Sequence, residues 1–172
     1  MPAPVVAELW SDPHCPFSYV LAHRLRRLAP RLARRVELRW RALPVELEEG
    51  SPTPHGLLQD EIAHLAPTEP GLPYAPWPPG QREHPTTFLP ALEAVAAAQA
   101  LDEGKTWELD WRIRRAFFAE HARIDDTAEL ARLATAAGID PAALAAELAS
   151  GRPAARVRAD AAPHREGSPR VE

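Results

Sequence analysis

The chain has 172 residues, of which 45% are hydrophobic, enough to bury the core of a single domain. Its formal charge of -4 argues against nucleic-acid binding, which depends on concentrated positive charge. No apolar run approaches the roughly 20 residues that span a bilayer, and no secretory leader is evident. We therefore expect no nucleic-acid or membrane partner and a cytoplasmic location.

Cysteine and histidine usage limits the chemistry further. The single cysteine excludes an internal disulfide and a multi-cysteine metal site. The seven histidines show none of the spacings that are typical of metal sites. We expect no metal and no tightly bound cofactor, so any reaction of the cysteine involves an outside partner.

The N-terminal segment 1–47 predicts a strand-helix-strand unit. Residues 5–10 are a short apolar run that ends at the breakers 11–13, which is typical of a buried strand. Over residues 17–32, apolar residues recur at three- and four-residue steps, which predicts an amphipathic helix with a kink at its proline. Residues 36–41 alternate between apolar and charged side chains and predict a second strand. The apolar stripe of the helix comprises Phe17, Val20, Leu21, Leu25, Leu28 and Leu32.

Residues 48–85 form a long connection rich in proline, which breaks every regular element there except a helix at 56–65. A connection of this length is typical of a lid, a pocket wall or a loosely ordered insertion. Its aromatic residues Tyr74 and Trp77 either line a pocket or, as is more common, pack against the body of the protein.

Residues 86–162 predict a helical domain. A helix capped at 86–87 ends by Gly104, and the next helix places an aromatic and arginine stripe on a core face. Two helices then begin at aspartate caps, and a last helix starts near Pro153 and ends by Pro163. The stripe comprises Trp107, Trp111, Arg114 and Phe118, and the caps are Asp126, with Glu129 in the reciprocal position, and Asp140.

Cys15 lies between the first strand and the first helix. Pro16 suits the first turn of a helix, so Cys15 is predicted at the cap, where unpaired N–H groups and the helix dipole stabilise a thiolate. A protonated His14 and the hydroxyl of Ser18, one turn later, would add to this stabilisation. The alternative is that Cys15 is a small buried hydrophobe, the usual role of a lone cysteine.

These residues resemble a known family. Residues 15–18, Cys-Pro-Phe-Ser, are similar to the Cys-Pro-x-Cys active site of DsbA-like proteins, with the second cysteine replaced by serine. Residues 36–44 and 115–138 resemble the second strand and the inserted helical domain of the cytoplasmic branch of that family. This branch includes 2-hydroxychromene-2-carboxylate isomerases and kappa-class glutathione transferases.

The resemblance implies a fold and a set of site residues. The fold is α/β, a thioredoxin-like strand-helix-strand unit with a large inserted helical domain. Residues 167–169, Gly-Ser-Pro, are similar to the segment whose cis-proline faces the active cysteine in this fold. Within 163–172 only three residues follow Pro169, so we expect the usual C-terminal strands and helix to be absent and the exposed edge to favour a homodimer. The implied catalytic residues are Cys15, Ser18 and His14, and the implied substrate-binding residues are Pro16, Phe17, Ser168 and Pro169.

Three functions are compatible with this resemblance. Without a second cysteine, Cys15 can form a mixed disulfide but needs an external thiol such as glutathione to release it. The first hypothesis is therefore a monothiol thiol-disulfide oxidoreductase acting on a thiol or disulfide substrate. The second is a glutathione-dependent isomerase or transferase for a small aromatic substrate, held by the helical insert and Tyr74 or Trp77. The third is an inactive fragment or a binding remnant.

Overall fold

The computed structural model describes residues 4–32, 35–78, 80 and 83–165, with no side chains beyond 162. It is a mixed α/β structure that is mostly helical. Its elements in chain order are β1 Val5–Ser11, α1 Pro16–Leu32, β2 Val36–Ala42, α2 Val45–Glu49, α3 His55–Leu65, α4 Leu89–Leu101, α5 Thr106–Glu120, α6 Thr127–Ala136, α7 Pro141–Ala149 and α8 Arg152–Arg165. Short 3-10 turns at Ala66–Thr68 and Glu103–Lys105 follow α3 and precede α5.

The two strands form a parallel pair in which Val5 lies opposite Val36 and Ser11 lies opposite Ala42. The connection between them is α1, as the strand-helix-strand prediction requires. The expected burial of β1 is wrong at its start, where Val5 and Val6 are exposed. Burial rises toward Ser11 because that end of the strand meets the helical part of the molecule.

Side chains from two helices fasten β2 to the helical part. Trp107 Nε1 of α5 donates a hydrogen bond to the Leu38 carbonyl over 3.4 Å. At the end of the strand, Ala42 N donates to Asp160 Oδ2 of α8 over 3.0 Å. These bonds satisfy backbone groups of β2 that the parallel partner leaves unpaired.

The buried face of α1 matches the predicted one only in part, since Val20 of the predicted stripe is buried. Phe17, Leu21 and Leu28 of the predicted stripe are exposed, whereas Tyr19 and His23 are buried. The reason is that α5 presents aromatic rings to this second face. Tyr19 stacks on Trp111 and Phe118 with centroid distances of 5.4 and 4.7 Å, and His23 stacks on Trp111 at 6.0 Å. The helix also continues through Pro30 to Leu32.

The core lies among the C-terminal helices. The helix α4 packs against α5, α7 and α8 and buries side chains around most of its circumference, as expected for a helix that is apolar on all sides. Phe117, Ile113 and Leu109 of α5 are completely buried beside it. Trp77 of the proline-rich connection joins this core, which supports the packing role.

The caps were predicted well and some boundaries were not. Asp126 accepts hydrogen bonds from the second and third residues of its helix, and Asp140 accepts one from Ala142 N. The reciprocal bond from Glu129 is absent because that carboxylate binds Arg132 instead. The short helix α2 was not predicted.

Three further boundaries differ from the predictions. The helix α4 starts at Leu89, beyond the predicted cap at 86–87, although Thr87 Oγ1 accepts the Leu89 N–H over 3.3 Å. Glu46 of α2 accepts the preceding Phe88 N–H over 2.7 Å. The helix α8 passes the predicted stop at Pro163 and ends at Arg165. In the connection, the predicted helix at 56–65 starts one residue earlier. The division into domains at residues 47, 85 and 162 stays a prediction.

Candidate active site

The turn from Ser11 to Cys15 carries β1 into α1 and places the cysteine at the helix start. Cys15 N donates to the Asp12 carbonyl over 3.1 Å, and the Cys15 carbonyl accepts the Tyr19 N–H over 3.0 Å. Pro16 is the first residue of α1 and is buried. Cys15 therefore occupies the N-cap, and the residue as a whole is half-buried.

Asp12 organises this turn from the inside. It is completely buried, and its Oδ1 accepts the His14 N–H over 3.1 Å and binds the His14 ring Nδ1 at 2.5 Å. Its Oδ2 accepts the Val45 N–H over 3.2 Å. The carboxylate thus ties the end of β1, the residue before Cys15 and the start of α2 together. An aspartate before a proline is typical of a turn, and the sequence gives no sign of the bond to Val45, 33 residues further along.

His14 is buried rather than displayed beside the thiol. Only 1% of its surface is exposed, and its ring stacks on Phe88 with centroids 3.8 Å apart and planes 9° from parallel. Its Nδ1 binds Asp12, and its Nε2 lies 3.1 Å from Thr53 Oγ1. Both ring nitrogens are therefore engaged away from the sulfur, and direct tuning of Cys15 by His14 stays a prediction.

Arg114 of α5 holds the same turn from the helical side. Its side chain is fully buried and pairs with both carboxylate oxygens of Asp110 over 2.8 and 2.9 Å. It also donates to the Asp12 carbonyl over 2.8 Å and to Ser11 Oγ over 2.6 Å. Sequence analysis assigned Arg114 only to a core face. An acid four residues before an arginine on an apolar stripe was the available signal of a buried ion pair.

The remaining predicted site residues have different positions. Phe17 follows Pro16 in the first turn of α1 and is 58% exposed. Ser18 lies in the same turn, half-buried, and within the described residues its hydroxyl makes no hydrogen bond, so donation to the Cys15 sulfur stays a prediction. Ser168 and Pro169 lie outside the described residues.

A cluster of aromatic and histidine rings adjoins the site behind Phe88. Phe88 contacts Phe117 edge-on at 5.6 Å, and Phe117 contacts Trp77 at 5.7 Å. Next to Trp77, the rings of His55 and His84 stack with centroids 3.5 Å apart. Burial, together with the neighbouring His84, lowers the pKa of His55 to about 4. This ring is therefore neutral at physiological pH.

Tyr19 is a structural hydrogen-bond donor close to the site. Its hydroxyl donates to the Pro73 carbonyl over 2.5 Å and so holds the proline-rich connection against α1. Burial raises the pKa of Tyr19 above its ordinary value, and the positive charges of Arg115 and Arg114 oppose this rise only in part. The phenol stays protonated and keeps donating.

Neither a metal cluster nor a membrane-spanning helix is present in the described ranges. In residues 4–32, 35–78, 80 and 83–165, no group of three or more histidine, cysteine or acidic side chains is placed to hold a metal ion. Over the same part of the chain, every helix is too short or too polar to cross a membrane.

Comparison with solved structures identifies similar folds. The cytosolic disulfide reductase DsbM from Pseudomonas aeruginosa is 26% identical, with a TM-score of 0.65 over 94% of this chain and 77% of DsbM. The same protein solved with GSH gives 23% identity and a TM-score of 0.69 over 94% and 78% of the two chains. A 2-hydroxychromene-2-carboxylate isomerase gives 18% identity and a TM-score of 0.66 over 91% and 77%.

Comparison at the level of sequence gives a family. No curated protein sequence matches the chain significantly. Residues 6–166, which include both strands and the turn that carries Cys15, match the DSBA-like thioredoxin domain. The predicted thioredoxin-like α/β class with a helical insertion is confirmed. The chain belongs to the family of DSBA-like thioredoxin domains.

Proposed function

We propose that the protein catalyses thiol-disulfide exchange through Cys15 alone, with an external thiol completing each cycle. The observation that carries this proposal is the placement of the single cysteine, half-buried at the N-cap of α1, in a DSBA-like domain. A cysteine at a helix start reacts readily because the N–H groups and the dipole stabilise its thiolate.

The first step is attack of the Cys15 thiolate on a substrate disulfide RS–SR′. A bond forms between Cys15 Sγ and the sulfur of R, the substrate S–S bond breaks, and R′S⁻ leaves with the electron pair. The exposed ring of Phe17 is suited to contact the substrate beside the sulfur. Pro16, Ser168 and Pro169 complete the proposed substrate contacts.

The second step needs a thiol from solution because Ser18 occupies the position of a second cysteine. The external thiol attacks the sulfur of R, which frees Cys15 as a thiolate and releases a new disulfide. We propose glutathione for this role, since DsbM is a cytosolic disulfide reductase that has been solved with GSH. A cytoplasmic location, where glutathione is abundant and reduced, fits this cycle.

The test separates the two steps. The protein is mixed with an aryl disulfide whose released thiolate is coloured, and the adduct is identified by mass. We expect one thiolate released per chain and full recovery of free Cys15 after glutathione is added. The Cys15→Ser variant, which retains fold and helix start, is the matched control and should release none. A folded wild-type chain that forms no adduct would overturn the proposal.

A second candidate is glutathione-dependent isomerisation or transfer on a small aromatic substrate. Ser18 favours this candidate because it cannot resolve a mixed disulfide as a second cysteine would. An isomerase or transferase uses glutathione without forming a disulfide, so it needs no second thiol. Saturable glutathione binding by the Cys15→Ser variant, combined with no disulfide reduction by the wild type, would favour this candidate. Calorimetric titration and a glutathione-coupled reductase assay measure the two properties.

A further inference from the structure

Asp12, His14 and Thr53 form a continuous chain of side-chain hydrogen bonds that starts in the turn carrying Cys15. The Asp12 carboxylate binds His14 Nδ1 at 2.5 Å, and His14 Nε2 lies 3.1 Å from Thr53 Oγ1. The order of groups is carboxylate, imidazole and hydroxyl. In hydrolases the same order lets an imidazole take the proton of a hydroxyl group while the carboxylate fixes its tautomer and stabilises the resulting cation.

The three side chains of this chain of groups are buried to different degrees. Asp12 is completely buried and His14 nearly so, while Thr53, between two prolines before α3, is half-buried. Because Asp12 accepts from Nδ1, the lone pair of a neutral His14 lies at Nε2 and faces the Thr53 hydroxyl. A proton therefore enters or leaves the imidazole through Thr53.

Charged groups from three elements lie around His14 and its contacts. From its own turn it faces Asp12, and the next residue is Cys15. From α5, Arg114 reaches the Asp12 carbonyl and is neutralised by Asp110. Because Arg114 already pairs with Asp110, the side-chain carboxylate of Asp12 is left to bind His14. From α2, Glu46 accepts the N–H of Phe88, the residue that stacks on the imidazole.

We propose that Thr53, backed by His14 and Asp12, takes up the proton of the incoming thiol in the second step of the cycle. This inference rests on the proposed function. The thiol sulfur forms a bond to the substrate sulfur of the mixed disulfide, and the bond to Cys15 Sγ breaks with its electron pair on Cys15. The thiol proton passes to Thr53 Oγ1 as the hydroxyl proton of Thr53 passes to His14 Nε2. Bulk water later takes the proton from His14 by the reverse path.

The competing explanation is that the hydrogen bonds only fasten residues 51–54 to the turn. A fastening role predicts that loss of the Thr53 hydroxyl lowers stability and slows both steps together. A proton-transfer role predicts that it slows only the step in which an uncharged thiol attacks. General base catalysis also gives a normal solvent deuterium isotope effect, because the proton is being transferred in the transition state.

The experiment measures both steps for the wild type and the variants Thr53→Val, Thr53→Ser and Thr135→Val. Thr135 lies on α6, where its hydroxyl bonds only the local Ala131 carbonyl, so it is the matched control. Step one is thiolate release from the aryl disulfide. Step two is glutathione attack on the purified mixed disulfide at pH 6, where most of the glutathione thiol is protonated. Thermal melts accompany each variant.

We expect Thr53→Val to slow step two at least about tenfold and to abolish its isotope effect, with step one within about twofold of the wild type. Thr53→Ser should restore both properties, and Thr135→Val should match the wild type. The inference is overturned by a Thr53→Val rate and isotope effect equal to those of the wild type, or by a parallel loss in both steps with a lower melting temperature. Failure of step one in the wild type would overturn the proposed function instead.

Discussion

The helices α4 and α1 use apolar side chains in opposite ways. Of the thirteen residues of α4, seven are buried, including Leu92 and Val95. In α1, Phe17, Leu21 and Leu28 remain exposed although they form a regular apolar stripe. The same kind of sequence therefore yields a central core helix in one part of the molecule and a helix held along one face in another.

The difference shows where the described structure has its own core. The helix α4 is enclosed by α5, α7 and α8, so its stability comes from non-directional burial. The unit of β1, α1 and β2 buries Trp40 and Ala42 in the same core and adds specific contacts. The principal ones are the buried Arg114 bonds to the turn and the stacking of Tyr19 on α5. The turn with Cys15 is thus positioned by polar and aromatic contacts to α5.

The largest expected effect tests the polar attachment. Replacing Arg114 by leucine leaves Asp110 buried and unpaired and removes the bonds to Ser11 and the Asp12 carbonyl. Loss of one partner of a buried ion pair costs about 3–5 kcal/mol of unfolding free energy. Urea denaturation followed by circular dichroism measures it. The neighbouring Arg115, 53% exposed and paired with Glu120, is the control, and Arg115→Leu should change stability by less than about 1 kcal/mol.

If Arg114→Leu were as stable as Arg115→Leu, the turn would not depend on this bridge. A double variant, Arg114→Leu with Asp110→Leu, sharpens the result. Replacing a whole buried ion pair by apolar residues is often close to neutral. Recovery of most of the lost stability in the double variant would assign the loss to the unpaired carboxylate rather than to the missing bonds.

A pair of phenylalanine substitutions compares the two helical surroundings directly. Phe117 is completely buried between Phe88, Trp77 and Phe118. Phe117→Ala should cost about 3–4 kcal/mol through lost burial and the cavity that remains. Phe17→Ala removes an equal side chain from the exposed face of α1 and should cost less than about 0.5 kcal/mol. Equal losses in urea titrations would mean that the exposed face of α1 is covered in solution.

Much of the fold was predictable because its signals are local. The alternation over residues 36–41 indicated β2, and Asp126 and Asp140 marked the starts of α6 and α7. The buried face of α1 was not predictable from periodicity. It is set by Trp111 and Phe118, which lie more than ninety residues after Tyr19 in the chain. Their rings stack on Tyr19, so the face with Tyr19 is buried while Leu21 and Leu28 stay exposed.

In the site, too, local features were predictable from sequence and long-range contacts were not. Cys15 followed by Pro16 indicated a helix cap, and the backbone bonds of the structure have that form. The contacts of Thr53 with His14 and of Arg114 with Asp12 were not predictable, because they join residues 39 and 102 positions apart in the chain. His14 was predicted to act beside the thiolate, and nothing local in the sequence indicates that Phe88 stacks on its ring.

The two tyrosines of the chain give a smaller, cleaner comparison. Tyr19 donates to the Pro73 carbonyl, whereas within the described residues the hydroxyl of Tyr74 makes no hydrogen bond. Tyr19→Phe should therefore cost about 1–2 kcal/mol, because the part-buried Pro73 carbonyl loses its partner while packing is unchanged. Tyr74→Phe should leave the unfolding free energy within about 0.5 kcal/mol of the wild type. Thermal and urea unfolding of both variants measure the difference, and equal losses would contradict the assigned role of the Tyr19 hydroxyl.

The smallest effect concerns pH and the ring cluster next to Trp77. The folded pKa of His55, about 4, lies below the usual value of about 6.5, so the unfolded chain binds the proton first as the pH falls. The stability that the neutral ring contributes is complete above pH 6.5 and is lost toward pH 4. Because His55 is only half-buried, screening limits the loss to about 1 kcal/mol. His55→Phe keeps an uncharged ring against His84 and should flatten the decline in melting temperature over this range. His64→Phe, an exposed change on the same helix, should follow the wild-type curve, and parallel curves for all three proteins would show that His55 is not the group that titrates.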